Sequence, residues 1–221
     1  MLSVINEKSF TRDLPSKPRR GRPKRSLSNS YDTRESLLHA GMLVLTQTGF
    51  TNSSIDPILK SVGVPKGSFY HYFASKEAFG FAVLESYRRY FESKLDSFLL
   101  NRDVLPLERL KKFSKDAQDG MVRHDFKRGC LVGNLEQEST LLSEDFCEQL
   151  KVTYLSWQSR VAVCLLEAQQ QGQVAIECDI ENMAQIFWVG WEGAVHRSRL
   201  VKSTQPLSAF LEFFIKAVQS K

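Results

Sequence analysis

The chain has 221 residues, of which 42% are hydrophobic, enough for one large or two modest domains with a substantial core. No stretch approaches the roughly 18 consecutive apolar residues that a membrane-spanning helix requires. The first thirty residues are polar and basic and lack the apolar segment of a secretory signal. These features argue against a membrane or secreted protein and predict a cytoplasmic one.

The positive charge is concentrated at the amino terminus. The first thirty residues hold eight lysines and arginines against two acidic residues, a balance of +6, whereas the rest of the chain holds 22 basic and 23 acidic residues. Such an asymmetry is typical of a tail that meets a polyanion such as DNA.

The four cysteines, Cys130, Cys147, Cys164 and Cys178, show neither a CxxC pair nor a Cys/His spacing suited to a metal. In a reducing compartment we expect free thiols. The sequence therefore predicts neither a metal site nor a cofactor.

Residues 1–31 form a basic arm with the run KPRRGRPKR at Lys17–Arg25. Its prolines and glycine oppose a helix, and it has no apolar face to bury. The segment around Arg20 and Arg22 resembles the core of an AT-hook, whose arginines enter the narrow minor groove of A·T-rich DNA. The alternative is a solvated basic linker that only adds counterion release.

The sequence pattern of residues 32–75 predicts three helices. We expect the first to begin at Asp32, with Glu35 completing a capping box, and to end at Gly49. This helix braces the other two and is not expected to contact bases.

The second helix is predicted from a capping box of Ser53 with Asp56, and it ends at Gly63, where a left-handed backbone is tolerated. The third begins near Pro65. The second helix has apolar residues at the spacing of one helical face, namely Ile55, Ile58, Leu59 and Val62. Two short helices joined by a tight turn form a helix-turn-helix, which presents polar groups to a major groove. An ordinary helical corner is the alternative.

The run Thr33–Lys76, and above all VPKGSFYHYFASKEAF, resembles the DNA-binding domain of the TetR family of repressors. The resemblance implies an all-α fold with a three-helix reading head in residues 32–75. It also implies a larger effector-binding and dimerisation body in residues 76–221, and a homodimer on a palindromic operator.

The resemblance also implies which residues contact DNA. Its groove-facing positions are matched here by Lys66, Gly67, Ser68, Tyr70 and His71. Tyr72 and Lys76 match positions that grip phosphate, although Tyr72 could equally lie at the edge of the core. Thr51 and Ser53 are expected at a helix N-terminus, with backbone N–H groups facing another phosphate.

The body is predicted to consist of long amphipathic helices. Apolar periodicity and breakers place them at Ser75–Leu100, from Pro106 to Met121, 144–170, Asp179–Leu200 and Pro206–Ser220.

Between them lies the segment KRGCLVGNL, Lys127–Leu135. Together with PRRGRP in the arm and VGWEGA near the end, this segment is most similar within the TetR family to the regulators of acrylate utilisation. Its GCL run also resembles, more distantly, the regulators that respond to N-ethylmaleimide-type electrophiles. This implies that Cys130 lies beside an effector pocket, with its pKa lowered by Arg128 or a helix N-terminus. The alternative is a small buried hydrophobe with an inert thiol.

We expect the effector site to include Phe113, Cys130, Tyr154, Trp157 and Trp188. For Tyr154 and Trp157 an ordinary place in the core is the alternative.

The last two helices are apolar on more than one side, which indicates a second partner surface. The resemblance implies a four-helix dimer interface, for which we predict Phe187, Trp191, Val195, Phe210 and Phe214. A monomer with a wide internal core is the alternative.

The leading hypothesis is a homodimeric repressor of transcription, released from DNA by a small unsaturated carboxylate, its thioester or another electrophile. A switch based on chemical modification of Cys130, an activator on the same framework, and an architectural DNA binder using the arm alone are the alternatives. An enzyme using Cys130 with His124 or His196 is not expected, because no spacing places an acid reliably beside them.

Overall fold

The computed structural model describes residues 27–219, with side chains from Asp32 onward. Within this range the fold is all-α, as predicted, and the one strand-type pairing is an isolated antiparallel bridge between Val174 and Gln219. Its α-helices are α1 (Leu27–Thr48), α2 (Ile55–Val62), α3 (Lys66–Tyr72), α4 (Lys76–Leu99), α5 (Pro106–Arg123), α6 (Leu131–Glu136), α7 (Glu144–Gln170), α8 (Ile180–Val201) and α9 (Gln205–Val218). A single 3-10 turn, Ser139–Leu141, separates α6 from α7.

Both capping boxes predicted in the head are wrong. Helix α1 already includes Leu27, five residues before Asp32, and the Asp32 carbonyl accepts a bond from the Ser36 hydroxyl at 2.7 Å within the helix. Helix α2 begins one residue later than predicted, after Ser54, whose side chain makes no capping bond. The Ser53 hydroxyl donates instead to the Phe50 carbonyl at 2.8 Å.

The turn between α2 and α3 forms as predicted. Gly63 has φ +66° and its N–H donates back to the Lys60 carbonyl at 3.3 Å, which closes α2. Glycine adopts this left-handed backbone without strain. Val64 then turns into the core, and Pro65 precedes the first residue of α3.

Aromatic residues join the head to α4. Phe69 of α3 lies with its ring centre 5.3 Å from that of Phe79 in α4, and both rings are buried. Gly41 of α1 allows this contact, because a Cβ there would lie 2.4 Å from the Phe79 ring. Helix α4 begins as predicted at Ser75, whose hydroxyl accepts from the Ala78 N–H at 2.9 Å.

One buried arginine fixes the junction of α4, α5 and α7. Arg109 is 2% exposed and donates to the Leu99 carbonyl at 3.0 Å, to the Val104 carbonyl at 2.8 Å and to the Glu167 carboxylate at 2.7 Å. These acceptors compensate the guanidinium for its lost hydration.

The last three helices form the rest of the body and match their predicted spans. Helix α7 ends before Gly172, which has φ +72°. Helix α8 is capped by Asp179, which accepts from the Asn182 N–H at 3.1 Å. None of the described helices is both long and apolar enough to cross a bilayer.

The residues predicted for the dimer interface need correction. Four of them are at most 6% exposed within one chain and Phe210 is half-buried, so little of their surface is left for a partner; they are Phe187, Trp191, Val195, Phe210 and Phe214. Phe187 stacks on Trp191, and Gly190 receives the Phe210 ring, against which a Cβ would come within 2.2 Å. The apolar side chains that remain exposed on α8 and α9 include Ile186, Val189, Leu200 and Phe213.

Candidate DNA-reading head and effector cavity

Helix α3 presents one buried and one exposed side. Phe69 is fully buried and the following Phe73 is 4% exposed, as predicted, so they hold the helix against the head. The exposed residues are those predicted to face a groove, Lys66, Gly67, Tyr70 and His71, while Ser68 and Tyr72 are half-buried. Tyr70 is 51% exposed, and its ring is braced edge-on by Phe69 at 5.3 Å. A short helix with this exposed set can place hydrogen-bonding groups against base edges.

The turn between α1 and α2 does not offer the free N–H groups that we predicted. The Thr51 N–H donates to the Glu138 carboxylate at 2.7 Å, and the Ser53 N–H donates to the Phe50 carbonyl at 3.2 Å. Lys76 lies over this turn, with its Nζ 3.2 Å from the Thr51 carbonyl oxygen. Arg20 and Arg22 of the basic arm lie outside the described residues.

The body holds the end of α1 through hydrogen bonds to backbone carbonyls. The Asn134 amide donates to the Thr46 carbonyl at 2.9 Å, and the Gly129 N–H donates to the same carbonyl at 3.2 Å. Arg199 of α8 donates to the Gln47 carbonyl at 3.1 Å and to the Asn134 side-chain oxygen at 3.0 Å. Helix α6 and the segment that leads into it, whose Lys127 carbonyl also accepts from Arg199 at 3.3 Å, are therefore bonded both to the head and to α8.

A cavity of about 440 Å³ lies between the head and the body. Its walls come from α1, α4, α5, α8 and the segment between α5 and α6. They are lined by His39, Met42, Leu43, Thr46, Tyr87, Tyr90, Phe91, Lys94, Phe113, Ala117, Gly120, Met121, Arg123, His124, Arg128, Gly129, Cys130, Trp191 and Val195. A ligand of modest size fits such a volume.

The cavity includes two of the five residues predicted to bind an effector, Phe113 and Cys130. The other three do not border it. Trp157 and Trp188 are buried one layer behind, with their ring centres 4.9 Å apart, and Trp157 packs on Phe91 at 4.4 Å. The Tyr154 hydroxyl donates to Glu136 at 2.8 Å. For Tyr154 and Trp157, these positions agree with the alternative given above, an ordinary place in the core and not in an effector site.

The charged residues of the cavity lining are all basic. They are Lys94, Arg123 and Arg128, joined by His39 and His124, and none of the described residues that border the cavity carries a carboxylate. Lys94 is paired with Asp116. Burial, with Arg128 and Arg123 adding to it, lowers the pKa of His124. An anion placed there would meet two arginines without a competing carboxylate.

Cys130 forms the start of α6. Its side chain is 7% exposed and its Sγ accepts from the Gly133 N–H at 3.5 Å. The Tyr87 hydroxyl lies 3.8 Å from the same sulfur. Burial raises the pKa of the thiol well above its usual value, and the nearby Glu192 carboxylate raises it further. The predicted lowering of this pKa is therefore wrong, because desolvation outweighs the N–H groups of the helix N-terminus.

Sequence reasoning missed Glu192, which lies beside Cys130 in α8. It is 5% exposed, and neither carboxylate oxygen makes a hydrogen bond of good geometry in the described part of the chain, although the Cys130 thiol is close enough to stabilise its charged form. Burial raises its pKa to about 7, with the Cys130 thiol opposing this shift. Gly133 leaves room for it, because a Cβ there would lie 2.0 Å from a Glu192 oxygen. A lone acidic residue in the apolar run around Trp191 was the available signal.

An exposed helix-turn-helix, bonded to a helical body that borders a cavity, defines the class of helix-turn-helix transcription regulators. Residues 37–83 match the family described as bacterial regulatory proteins, tetR family, and residues 106–214 match the Tetracyclin repressor-like, C-terminal domain. The chain belongs to the TetR family of DNA-binding transcription regulators.

Two relatives and one solved structure show how far the similarity extends. The chain is 44% identical to the transcriptional regulator AcuR of Cereibacter sphaeroides, over 91% of each protein. It is 30% identical to the HTH-type transcriptional repressor NemR of Escherichia coli (strain K12), over 80% of this chain and 89% of that one. The crystal structure of regulatory protein TetR from Rhodobacter sphaeroides matches with a TM-score of 0.82 at 43% identity, over 84% of this chain and 98% of that one.

Proposed function

We propose that this chain is a cytoplasmic transcriptional repressor that binds a palindromic operator as a homodimer and leaves it when a small effector fills the cavity. The observation that carries the proposal is a shared wall. Thr46 and Gly129 both border the cavity, and they are joined by one of the hydrogen bonds through which the body holds α1. An effector that moves the Gly129 segment therefore also moves the head. The relative NemR is named a transcriptional repressor, which supports repression and not activation for this chain.

The exposed side of α3 is proposed to enter the major groove. Tyr70 can contact a thymine methyl group, and Lys66 and His71 can donate to base acceptors or phosphates. Lys66 is held 3.2 Å from Asp56 in the free protein, and both side chains are largely exposed, so this pair can exchange for DNA at little energetic cost. Gly67 leaves open space in which a DNA backbone can approach closely.

The effector is proposed to be a small unsaturated carboxylate or its thioester. Its apolar part would lie against Tyr87, Phe91 and Phe113, and its anionic group would meet Arg123 and Arg128. The described residues of the cavity lining include no carboxylate, which supports this polarity, because a cationic effector would find no counter-charge among them.

The homodimer is proposed to use the outward faces of α8 and α9. On α8, Ile186, Val189, Gly193 and Leu200 follow one another at helical spacing, and Val189 is 72% exposed. Phe213 on α9 is 70% exposed. A Cβ added at Gly193 would meet nothing within 4 Å, so a partner helix can approach closely there. Two such helices per subunit form a four-helix interface with two-fold symmetry.

Footprinting on the DNA that flanks the gene tests the proposal. We expect protection of an inverted repeat with half-sites about 34 Å apart, and loss of protection when acrylate or an acrylate thioester is added. Sedimentation of the free protein should give a dimer. A monomer, or a footprint without an inverted repeat, would contradict the proposal. A trial thioester should not be turned over.

Covalent modification of Cys130 is the second candidate, favoured by the position of its sulfur at the cavity wall. In this reaction the thiol adds to an electron-poor alkene: sulfur bonds to the β-carbon and the thiol proton ends on the α-carbon. The adduct would remove the sulfur from the Gly133 N–H at the start of α6. Cys130→Ser separates the two candidates, since release by the effector survives in a ligand sensor and is lost in a thiol switch.

A further inference from the structure

The turn between α1 and α2 directs three hydrogen-bond donors at one point. The N–H groups of Phe50 and Thr51 and the hydroxyl of Thr51 all donate to the carboxylate of Glu138, at 3.0, 2.7 and 2.7 Å. Consecutive backbone N–H groups that converge in this way form an anion-binding site. Glu138 comes from the body, two residues beyond the end of α6.

A lysine and a glycine complete this site. Lys76 at the start of α4 has its Nζ 3.2 Å from the Thr51 carbonyl oxygen and 4.7 Å from the centre of the Phe50 ring. Gly49 adopts φ +78°, and a Cβ there would lie 1.8 Å from a Glu138 oxygen. The donors, the positive charge and the space are thus arranged around an anion.

We propose that this site, the head anion site, binds a phosphate of the operator backbone and that Glu138 fills it when DNA is absent. The inference rests on the proposed function, because it takes the head to bind DNA. Carboxylate and phosphate oxygens accept from the same N–H and hydroxyl donors, and the two anions repel each other. Phosphate can therefore enter only as Glu138 leaves.

This competition links the site to the cavity. Glu138 follows α6, whose first turn begins at Cys130 in the cavity wall. A shift of α6 toward or away from the head changes how strongly Glu138 competes with phosphate. The effector would then act on one phosphate contact of each head as well as on the spacing of the two heads.

The test is the salt dependence of operator binding by full-length Glu138→Ala and Glu138→Gln, measured by fluorescence anisotropy. We expect Glu138→Ala to bind at least about fivefold tighter, with the slope of log K against log salt unchanged, because phosphate occupies the site in both complexes. Glu138→Gln, which keeps the side-chain shape, should lie between this variant and wild type. Glu77→Gln is the matched control, since Glu77 is an exposed carboxylate beside Lys76.

Each remaining result decides against the inference. Equal or weaker binding would show that Glu138 only braces the head. An equal gain in Glu77→Gln would reduce the effect to general charge. If wild type binds an inverted repeat and the variants behave in one of these ways, the head anion site fails alone. If wild type protects no specific DNA, the proposed function fails with it.

Discussion

The head and the body bury polar groups differently. Among the described residues, the head buries hydroxyl groups such as those of Thr46 and Ser53, and both donate to nearby carbonyls. In the described part of the body two charged side chains are buried, Arg109 and Glu192, and no hydrogen bond of good geometry satisfies the second. A domain that must present a fixed surface tolerates few buried polar groups without hydrogen bonds, whereas a domain that must change its conformation can contain them. Substitutions should therefore affect stability in the body and recognition in the head.

The largest expected loss of stability is that of Arg109→Ala. Removing the guanidinium leaves two carbonyls and the Glu167 carboxylate without their donor, which should lower the free energy of unfolding by about 3–5 kcal/mol. Arg102→Ala is the matched control, because Arg102 approaches the same carboxylate at 3.9 Å but is 87% exposed, and it should change stability by less than about 1 kcal/mol. Urea denaturation measures both. Similar losses in the two variants would contradict the assignment.

Glu192 should give the body a pH-dependent stability. Its pKa is about 7 in the fold against 4.5 as the usual value, so between these pH values the folded chain holds a proton that the unfolded chain has released. The contribution of Glu192 to stability is therefore fully present below pH 4.5 and declines as the pH rises to about 7, by about 3 kcal/mol.

Denaturation of Glu192→Gln between pH 5 and pH 8 tests this assignment. The variant should lose the decline in stability with rising pH. Glu181→Gln, an exposed substitution on the same helix, should keep it. A decline that persists in Glu192→Gln would assign it to another group.

In the head, we expect substitutions on the exposed side of α3 to change DNA recognition and to leave stability unaltered. The double variant Tyr70→Ala, His71→Ala removes two exposed side chains, so the melting temperature should stay near that of wild type. Its preference for the operator over unrelated DNA should fall by at least about 2 kcal/mol, or roughly thirtyfold. Competition binding at fixed salt measures this preference. Undiminished preference would remove α3 from base recognition.

The smallest effect is expected at the rim of the cavity. Arg128→Gln should weaken binding of an acrylate-type anion by about 1.5 kcal/mol, roughly tenfold, and should leave operator affinity without effector unchanged. Lys115→Gln removes an equal charge from the outside of α5 and serves as the control, since Lys115 is exposed and paired with Asp119. Titration calorimetry measures the affinity, and equal weakening in both variants would point to long-range charge alone.

Local features of the chain were predictable and contacts between distant segments were not. The helix ends at Gly63 and Gly172 follow from the preference of glycine for a left-handed backbone, and the start of α4 follows from the capping side chain of Ser75. Phe69 and Val64 are buried where the periodicity places them. The start of α1 was predicted at Asp32, which is too late, because a capping-box pattern such as that of Asp32 and Glu35 does not by itself stop a helix that continues from earlier residues.

The predictions for the body were less accurate for a different reason. Arg128 is a neighbour of Cys130 in sequence, but burial and Glu192 decide the pKa of the thiol, and Glu192 is 62 positions away. In the same way, the sequence shows that α8 and α9 carry an excess of apolar residues. Which of these side chains are buried within one subunit depends on how α5 and α7 pack against the two helices. Only the exposed remainder, such as Val189 and Phe213, is available to a second subunit.

The polar contacts between head and body have a further consequence for design. The body binds the carbonyls of Leu45, Thr46 and Gln47 and the N–H groups of Phe50 and Thr51, and the Thr51 hydroxyl is the one head side chain in this set. A main-chain joint of this kind is indifferent to the exposed residues on α3, provided that Phe69 is kept to pack on Phe79. Heads with other recognition helices could therefore be grafted onto this body as modules, and the resulting chimaeras would keep its chemical input while addressing different promoters.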